Sequence, residues 1–215
     1  MSKIRAMDAS IGAKNKVLIL SAAEKAFAQN GLKGTSIQQI ADRAGLPKTN
    51  VLYYFKTKQE LYMAVLQQIL DTWNSAFDKA TVEDDPAIVL AEYIAEKMEI
   101  SRSNPYASKV FAMEILNGAT NVTDYFREEH GEWMRGRVAV IEGWIEQGKM
   151  HAMSAEYLLY HIWACTQHYA DFSAQITNLR GSKMLKQDFA EATRNLVQLI
   201  LGGCGLSIPE KYKGN

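Results

Sequence analysis

In the stretch IQQIADRAGLPKTNVLYYF, residues 37–55, side chains suited to reading another molecule crowd into one short helix-forming segment. Lys48, Thr49, Asn50 and Tyr53 all end in hydrogen-bonding groups, and a helix entered at Pro47 sets them along one exposed side. A lysine there pairs naturally with the O6/N7 edge of guanine, and a threonine or asparagine serves other base edges. Upstream, Thr35 and Ser36 place hydroxyls and free backbone N–H groups at a helix start, an arrangement suited to a phosphate oxygen. Tyr53 and Tyr54 are adjacent and cannot share a face, so one reaches outward to a phosphate while the other packs partly inward. Lys58, opening the next helix, adds charge to a second phosphate site.

These groups are useful only if two helices hold them at a fixed angle. Ala41 lies where a first helix must approach a second closely, and Gly45 lies where the turn needs a left-handed backbone. Ile40, Ala44, Leu46, Val51 and Leu52 supply the apolar clamp. The segment therefore reads as a helix-turn-helix whose second helix presents its N-terminal residues to the major groove.

The rest of the chain follows the helical period, with no run alternating at period two. Helices are predicted over 14–30, 37–44, 47–54, 58–79, 87–102, 105–117, 121–148, 154–177 and 184–201. The first carries Val17, Leu18, Ser21, Ala22, Ala26 and Phe27 on its inner stripe and stops at Asn30-Gly31. The acidic link Glu83-Asp84-Asp85-Pro86 marks a seam, and the final LSIPEKYKGN reads as a loose tail. The expectation is an all-α protein of about nine helices. It comprises a three-helix, helix-turn-helix domain at 1–57 and a helical ligand-binding and dimerisation domain at 58–215.

The 215 residues are enough for a substantial core. No stretch approaches the roughly 20 apolar residues of a membrane span. The polar start lacks a secretory h-region, which points to the cytoplasm. The net charge of zero hides a split: residues 1–60 hold ten basic against four acidic residues, net +6, and the remainder is −6. A basic head on an acidic body fits a polyanion-binding module joined to a different one. No P-loop, H-E-x-x-H, Ser-His-Asp set or paired-carboxylate signature is present, so an enzyme is not expected. No cofactor is expected either.

The stretch from Val17 to Leu66, and especially GLKGTSIQQIADRAGLPKTNVLYYFKTKQELYMAVL, resembles the N-terminal domain of the TetR family of one-component repressors, the likeness covering about fifty residues. That resemblance implies a homodimer that binds a palindromic DNA operator. It also implies a C-terminal domain that takes up a small molecule and dimerises through its last two long helices. Further stretches, TNVLYYFKTKQELYMAVLQQILDTW, NPYASKVFAMEILNGA and IWACTQHYADF, resemble regulators of pyrimidine-utilisation (Rut) operons, which implies uracil or thymine as the releasing ligand. Leu46-Pro47 and Lys56-Thr57 depart from that subfamily's usual residues, which bears on operator detail.

For the effector site the sequence offers Trp73, Phe77, Phe111, Glu114, Trp163 and Gln167: aromatic walls with an acid and a primary amide among apolar neighbours. The amide of Gln167 matches the adjacent donor and acceptor of a pyrimidine edge; it is equally suited to a buried or dimer-facing role. His161, Cys165 and His168 share one helix face within about 60°, but no fourth ligand accompanies them and Phe172 continues the stripe. That face reads as packed or dimer-facing, and no metal site is assigned. The helix beginning at Lys58 carries Trp73 and Phe77 toward its other end, so a ligand that shifts the aromatics moves the DNA end like a lever. Operator half-sites lie about 34–36 Å apart, so a small tilt spoils docking of a dimer.

Overall fold

The structure is a computed structural model that describes residues 2–75 and 77–214, with side chains from Gly12 onward. Among the described residues eleven α-helices follow in order: α1 (Ser2–Gly34), α2 (Ile37–Ala44), α3 (Lys48–Tyr54), α4 (Lys58–Asn74), α5 (Pro86–Ser103), α6 (Pro105–Leu116), α7 (Thr123–Arg127), α8 (Glu129–Glu146), α9 (Ala155–Asp171), α10 (Ser173–Arg180) and α11 (Lys186–Gly203). A 3-10 turn, Glu210–Tyr212, closes the series. Among the described residues there is no strand, and no helix is long and apolar enough to cross a membrane. Eleven helices replace the expected nine because two predicted long ones are broken, at Glu128 (φ −95°, ψ −84°) and at Phe172 (φ −104°, ψ 23°).

The chain divides into two compact units: residues 1–70 with 109–121, and residues 71–108 with 122–215. The acidic link is thus not the seam. Thr81 and Asp84 form a turn there, and the Asp85 carboxylate caps α5 by accepting from the Ala87 N–H at 2.8 Å. The units divide inside α4, and a second piece of the first unit comes from the end of α6 and the loop after it.

In the first unit α2 packs between α1 and α3. The inner stripe of α1 is Ile19, Ala22, Ala23, Ala26 and Phe27, spaced i, i+3, i+4, i+7, i+8 as an amphipathic helix requires. Val17, Leu18 and Ser21, expected inside, face solvent; the stripe starts later than predicted and runs along the neighbouring side. Gly31 breaks the helix at φ 68° and ψ 176°, where the Asn-Gly stop was expected. Phe27 meets Tyr62 of α4 edge-on, ring centroids 4.9 Å apart, and Ile40, Val51, Phe55, Leu61 and Leu66 are buried in the same unit.

The second unit is built around α5, which packs against α9 and α11. Tyr93, Ile94, Ile141, Trp144, Leu159, Ile162, Val197 and Leu201 form its core. The segment between α4 and α5 is fixed by donors that answer its carbonyls. The Arg137 guanidinium reaches the oxygens of Phe77 (2.6 Å), Asp78 (3.0 Å) and Ala80 (3.1 Å), the Trp144 indole N–H reaches Thr81, and Lys149 reaches Val82. The C-terminal stretch is not loose, as its polar composition suggested. Tyr212 is buried in the core, Leu206 and Ile208 pack on it, and Gln198 donates to the Tyr212 carbonyl at 2.8 Å. Replacing a buried aromatic by alanine typically removes about 3–5 kcal/mol. Tyr212→Ala is therefore expected to lower the urea unfolding midpoint clearly, and an unchanged midpoint would mean the tail does not dock.

Candidate functional site

The turn between α2 and α3 closes as a Schellman motif. Gly45 adopts φ 67° and ψ 29°; its N–H donates to Asp42 O at 3.2 Å, and the Leu46 N–H donates to Ala41 O at 3.1 Å. Ala41 and Val51 are fully buried where the helices meet, and Ala44 and Leu46 are half-buried beside them. Leu52, expected in the clamp, lies on the exposed side of α3. With the apolar side of α3 turned inward through Val51, its outward side carries Lys48, Thr49 and Tyr53, and Asn50 is half-exposed. Tyr53 is 81% exposed, whereas the Tyr54 hydroxyl comes close against Gly12 of α1. Pro47 stands just before α3, its φ of −59° already suited to helix entry.

Thr35, Ser36 and Lys58 gather where α1, α2 and α4 converge. Ser36 caps α2 reciprocally: its Oγ accepts from the Gln39 N–H at 3.2 Å, and the Gln39 side chain accepts from the Ser36 N–H at 2.8 Å. Thr35 is buried, and its hydroxyl lies 2.7 Å from the Gly31 carbonyl oxygen and 3.2 Å from that of Ala26. It ties the end of α1 to α2, so the hydroxyl is not turned toward a phosphate as the sequence suggested. The Lys58 ammonium donates to the Thr35 carbonyl at 2.7 Å, which anchors α4 to the same junction. Lys56, not assigned a role from the sequence, is exposed two residues earlier; its N–H donates to the Glu60 carboxylate, and Thr57 caps α4 through the Glu60 N–H.

The residues proposed for the effector site do not all come together. Glu114 and Phe111 belong to the first unit. The buried Glu114 carboxylate accepts from the Tyr62 hydroxyl at 3.1 Å, from the Asn121 N–H at 2.8 Å and from the Asn121 amide. It fastens the end of α6 to α4. Burial, reinforced by that carboxylate, pushes the Tyr62 hydroxyl well above the ordinary phenol range.

Trp73, Phe77, Trp163 and Gln167 belong to the second unit. Phe77 is core, tilted against Tyr93 and Trp144. Trp163 donates its indole N–H to the Tyr93 hydroxyl at 2.7 Å and meets the rings of His130, Trp133 and Tyr160. Gln167 follows one turn later on α9, half-buried. The residue that sequence reasoning missed is Lys97. It is only 5% exposed, its ammonium 4.7 Å from the Trp73 ring centre and 5.8 Å from that of Tyr93. Burial drags its pKa down to about 7, and the nearby Glu96 carboxylate offsets only part of that. His130 is likewise held below the usual imidazole range, by burial and then by the charge of Lys97. The signal was present in the sequence: Leu90, Ile94, Lys97 and Ser101 fall on one buried helical stripe.

His161, Cys165 and His168 gather no further ligand; among the described residues no group of three His, Cys, Asp or Glu side chains is placed to hold a metal. His168 stacks instead on Phe172, centroids 4.8 Å apart.

A short recognition helix clamped by a glycine turn, carried on an all-helical body, defines a helix-turn-helix transcription regulator. Residues 19–65 match the tetR family of bacterial regulatory proteins, and residues 66–207 match the C-terminal region of YcdC-like proteins. The chain belongs to the TetR family, whose members are DNA-binding, dimerising regulators and not enzymes. It is 41% identical over 192 residues to the HTH-type transcriptional regulator RutR of Escherichia coli K12, covering 89% of this chain and 90% of that one. The HTH-type transcriptional repressor NicS of Pseudomonas putida is 32% identical over 100 residues, 46% of this chain and 47% of that one. Among solved structures, the Streptomyces coelicolor regulator SCO4942 superposes with a TM-score of 0.72 at 18% identity, covering 90% of this chain and 99% of that one. The ketosteroid regulator KstR2 of Mycobacterium tuberculosis superposes at 0.66 and 18% identity, covering 88% and 94%.

Thr35→Val keeps the side chain's shape and removes the hydroxyl that lies against the Gly31 and Ala26 carbonyls. A loss of about 1–3 kcal/mol is expected in thermal or urea unfolding. Equal stability would show that the hydroxyl does not hold the junction.

Proposed function

We propose that this regulator is a repressor that leaves its operator when a pyrimidine base, uracil or thymine, binds in the second unit. The observation that carries the reading is the 41% identity with RutR, which runs through both the DNA-binding and the C-terminal regions. The stretches TNVLYYFKTKQELYMAVLQQILDTW, NPYASKVFAMEILNGA and IWACTQHYADF, which resemble pyrimidine-utilisation regulators, contribute Trp73, Trp163 and Gln167. Gln167 makes no side-chain hydrogen bond among the described residues, so its amide is available to an amide-imide edge. Phe77 acts as a wall behind Tyr93, and Phe111 and Glu114 serve the first unit.

Lys48, Thr49 and Asn50 read base edges, and Ser36, Tyr53 and Lys58 meet phosphates together with the exposed Lys56. Lys58 also acts through the Thr35 carbonyl, so it places α2 as well as contributing charge. Tyr54 supports α3 from within. A second copy joins through α9 and α11, whose exposed apolar side chains include Tyr157 and Leu199, with Phe172 just past the end of α9, beside a groove of about 800 Å³. Because α4 supplies residues to both units, a ligand beside Trp73 displaces the helix that carries Lys58.

The test is binding to a duplex carrying a pyrimidine-operon promoter, followed by fluorescence anisotropy with and without uracil. Release by uracil or thymine, but not by cytosine or uridine, is expected; binding unaffected by all four overturns the pyrimidine reading and leaves the family intact. Lys48→Ala is expected to cost about 1–3 kcal/mol at one base pair of each half-site and to relax specificity there. Lys58→Ala should weaken every sequence alike and flatten the salt dependence. In the same assay Gln167→Leu should demand more uracil for release while the ligand-free protein holds DNA as tightly as before. Release at the wild-type uracil concentration removes Gln167 from the site.

A further inference from the structure

An ammonium has three donors and no acceptor. In the interior it normally pairs with a carboxylate or several carbonyls, because an unanswered buried charge is costly. Lys97 has neither: among the described residues its amine makes no hydrogen bond and no ion pair. What it meets are ring faces, Trp73 on the α4 side and Tyr93 one turn back on α5. The charged and titratable groups around it are few. Glu96 adjoins it on α5 and is exposed, and His130 of α8 feels its charge. The Tyr93 hydroxyl is occupied as an acceptor from Trp163 and lies within electrostatic reach of Asp78 and Glu96. The buried α9 and α11 residues in the core with α5, including Ile162, Leu196 and Val197, carry no charge. Two basic groups thus share an aromatic setting, and among the described residues no carboxylate is in ion-pair contact with either, although the Asp78 carboxylate accepts from the Trp133 indole beside His130.

Such an arrangement leaves the amine's donors open to a ligand atom that accepts from them. We propose that Lys97 is the effector-contacting cation of the second unit, donating to an exocyclic oxygen of a flat ring held against Trp73 and Tyr93, and that binding takes a proton up onto the amine. The oxygen is a ring carbonyl or a ring carboxylate, since both present the same acceptor to an ammonium. This deepens, and rests on, the small-ring effector reading above.

The linkage has a definite sign. In the free protein the amine is held near pH 7 and is largely neutral above it. An oxygen acceptor favours the charged form and raises that value in the complex. Affinity is then flat below about pH 7, where the amine is already protonated. It falls as pH rises above that, by up to tenfold per unit, until the pKa of the complex is passed.

The experiment is calorimetric titration of the full chain with uracil and, separately, with uracil-6-carboxylate, between about pH 6 and pH 8.5, in two buffers of different ionisation enthalpy. Wild type, Lys97→Met and Lys97→Arg are compared, with thermal unfolding as the check on folding. Methionine keeps the length and apolar stem, while arginine keeps a donor that does not titrate in this range. The expected result is proton uptake at the alkaline end for wild type, at least tenfold weaker and pH-independent binding for Lys97→Met, and loss of uptake for Lys97→Arg. Wild-type affinity in Lys97→Met, or a pH dependence that survives in it and so belongs to His130, overturns the proposal. If uracil is silent while the carboxylated ring binds and needs Lys97, the proposal holds and the pyrimidine-base reading fails. If neither ring binds wild type, both fail.

Discussion

A seven-residue helix cannot hold its own shape in water, because nucleation consumes most of what so few hydrogen bonds return. Everything that α3 presents to a partner therefore depends on how it is clamped. The clamp is made of small parts. Ala41 lets two backbones come close, Gly45 turns left-handed without a Cβ penalty, and Val51 is the buried point on which α3 rests. From there the dependence spreads outward. α2 is capped by Ser36 and Gln39, sealed to α1 by the Thr35 hydroxyl, and joined to α4 by Lys58 through the same residue's carbonyl. The recognition surface is thus rigid because of contacts made on its far side.

The second unit uses another strategy. Its apolar core is conventional, but the chain between α4 and α5 has no regular ladder to satisfy its carbonyls. Arg137, Lys149 and Trp144 answer them from α8 and the turn that follows it, so long polar side chains replace secondary structure. Lys97 contrasts with these: it is a basic group more deeply placed, with aromatic faces around it and no backbone oxygen to serve. In one bundle some cations fasten the chain, and one is left facing rings.

What could be read in advance follows the range of each interaction. The helix-turn-helix was legible because Ala41, Gly45 and Val51 obey local rules of size, turn geometry and period. The Asn30-Gly31 stop was legible for the same reason. The breaks at Glu128 and Phe172 were not, since neither place carries the glycine or proline that usually marks one. Val17 and Leu18 misled because an apolar residue at a helix edge fits either of two neighbouring stripes. Glu114 was singled out correctly as an acid among apolar residues, but its partners, Tyr62 and Asn121, were hidden: the first is 52 positions away. Lys97 was in plain view on a buried stripe and was passed over in favour of the aromatic side chains around it.

The Glu114 contact also bears on how the chain comes off the ribosome. Residues 1–70 emerge together, yet the unit they form includes 109–121, made roughly 40 residues later. Until Glu114 and Asn121 arrive, the Tyr62 hydroxyl has no carboxylate to meet, and α4 lacks the segment that covers its side. A nascent chain cut off after α4 would carry every residue proposed to read DNA and still be an unfinished module. The order of synthesis thus delays a completed DNA-binding head until the first helices of the sensing body have already been made.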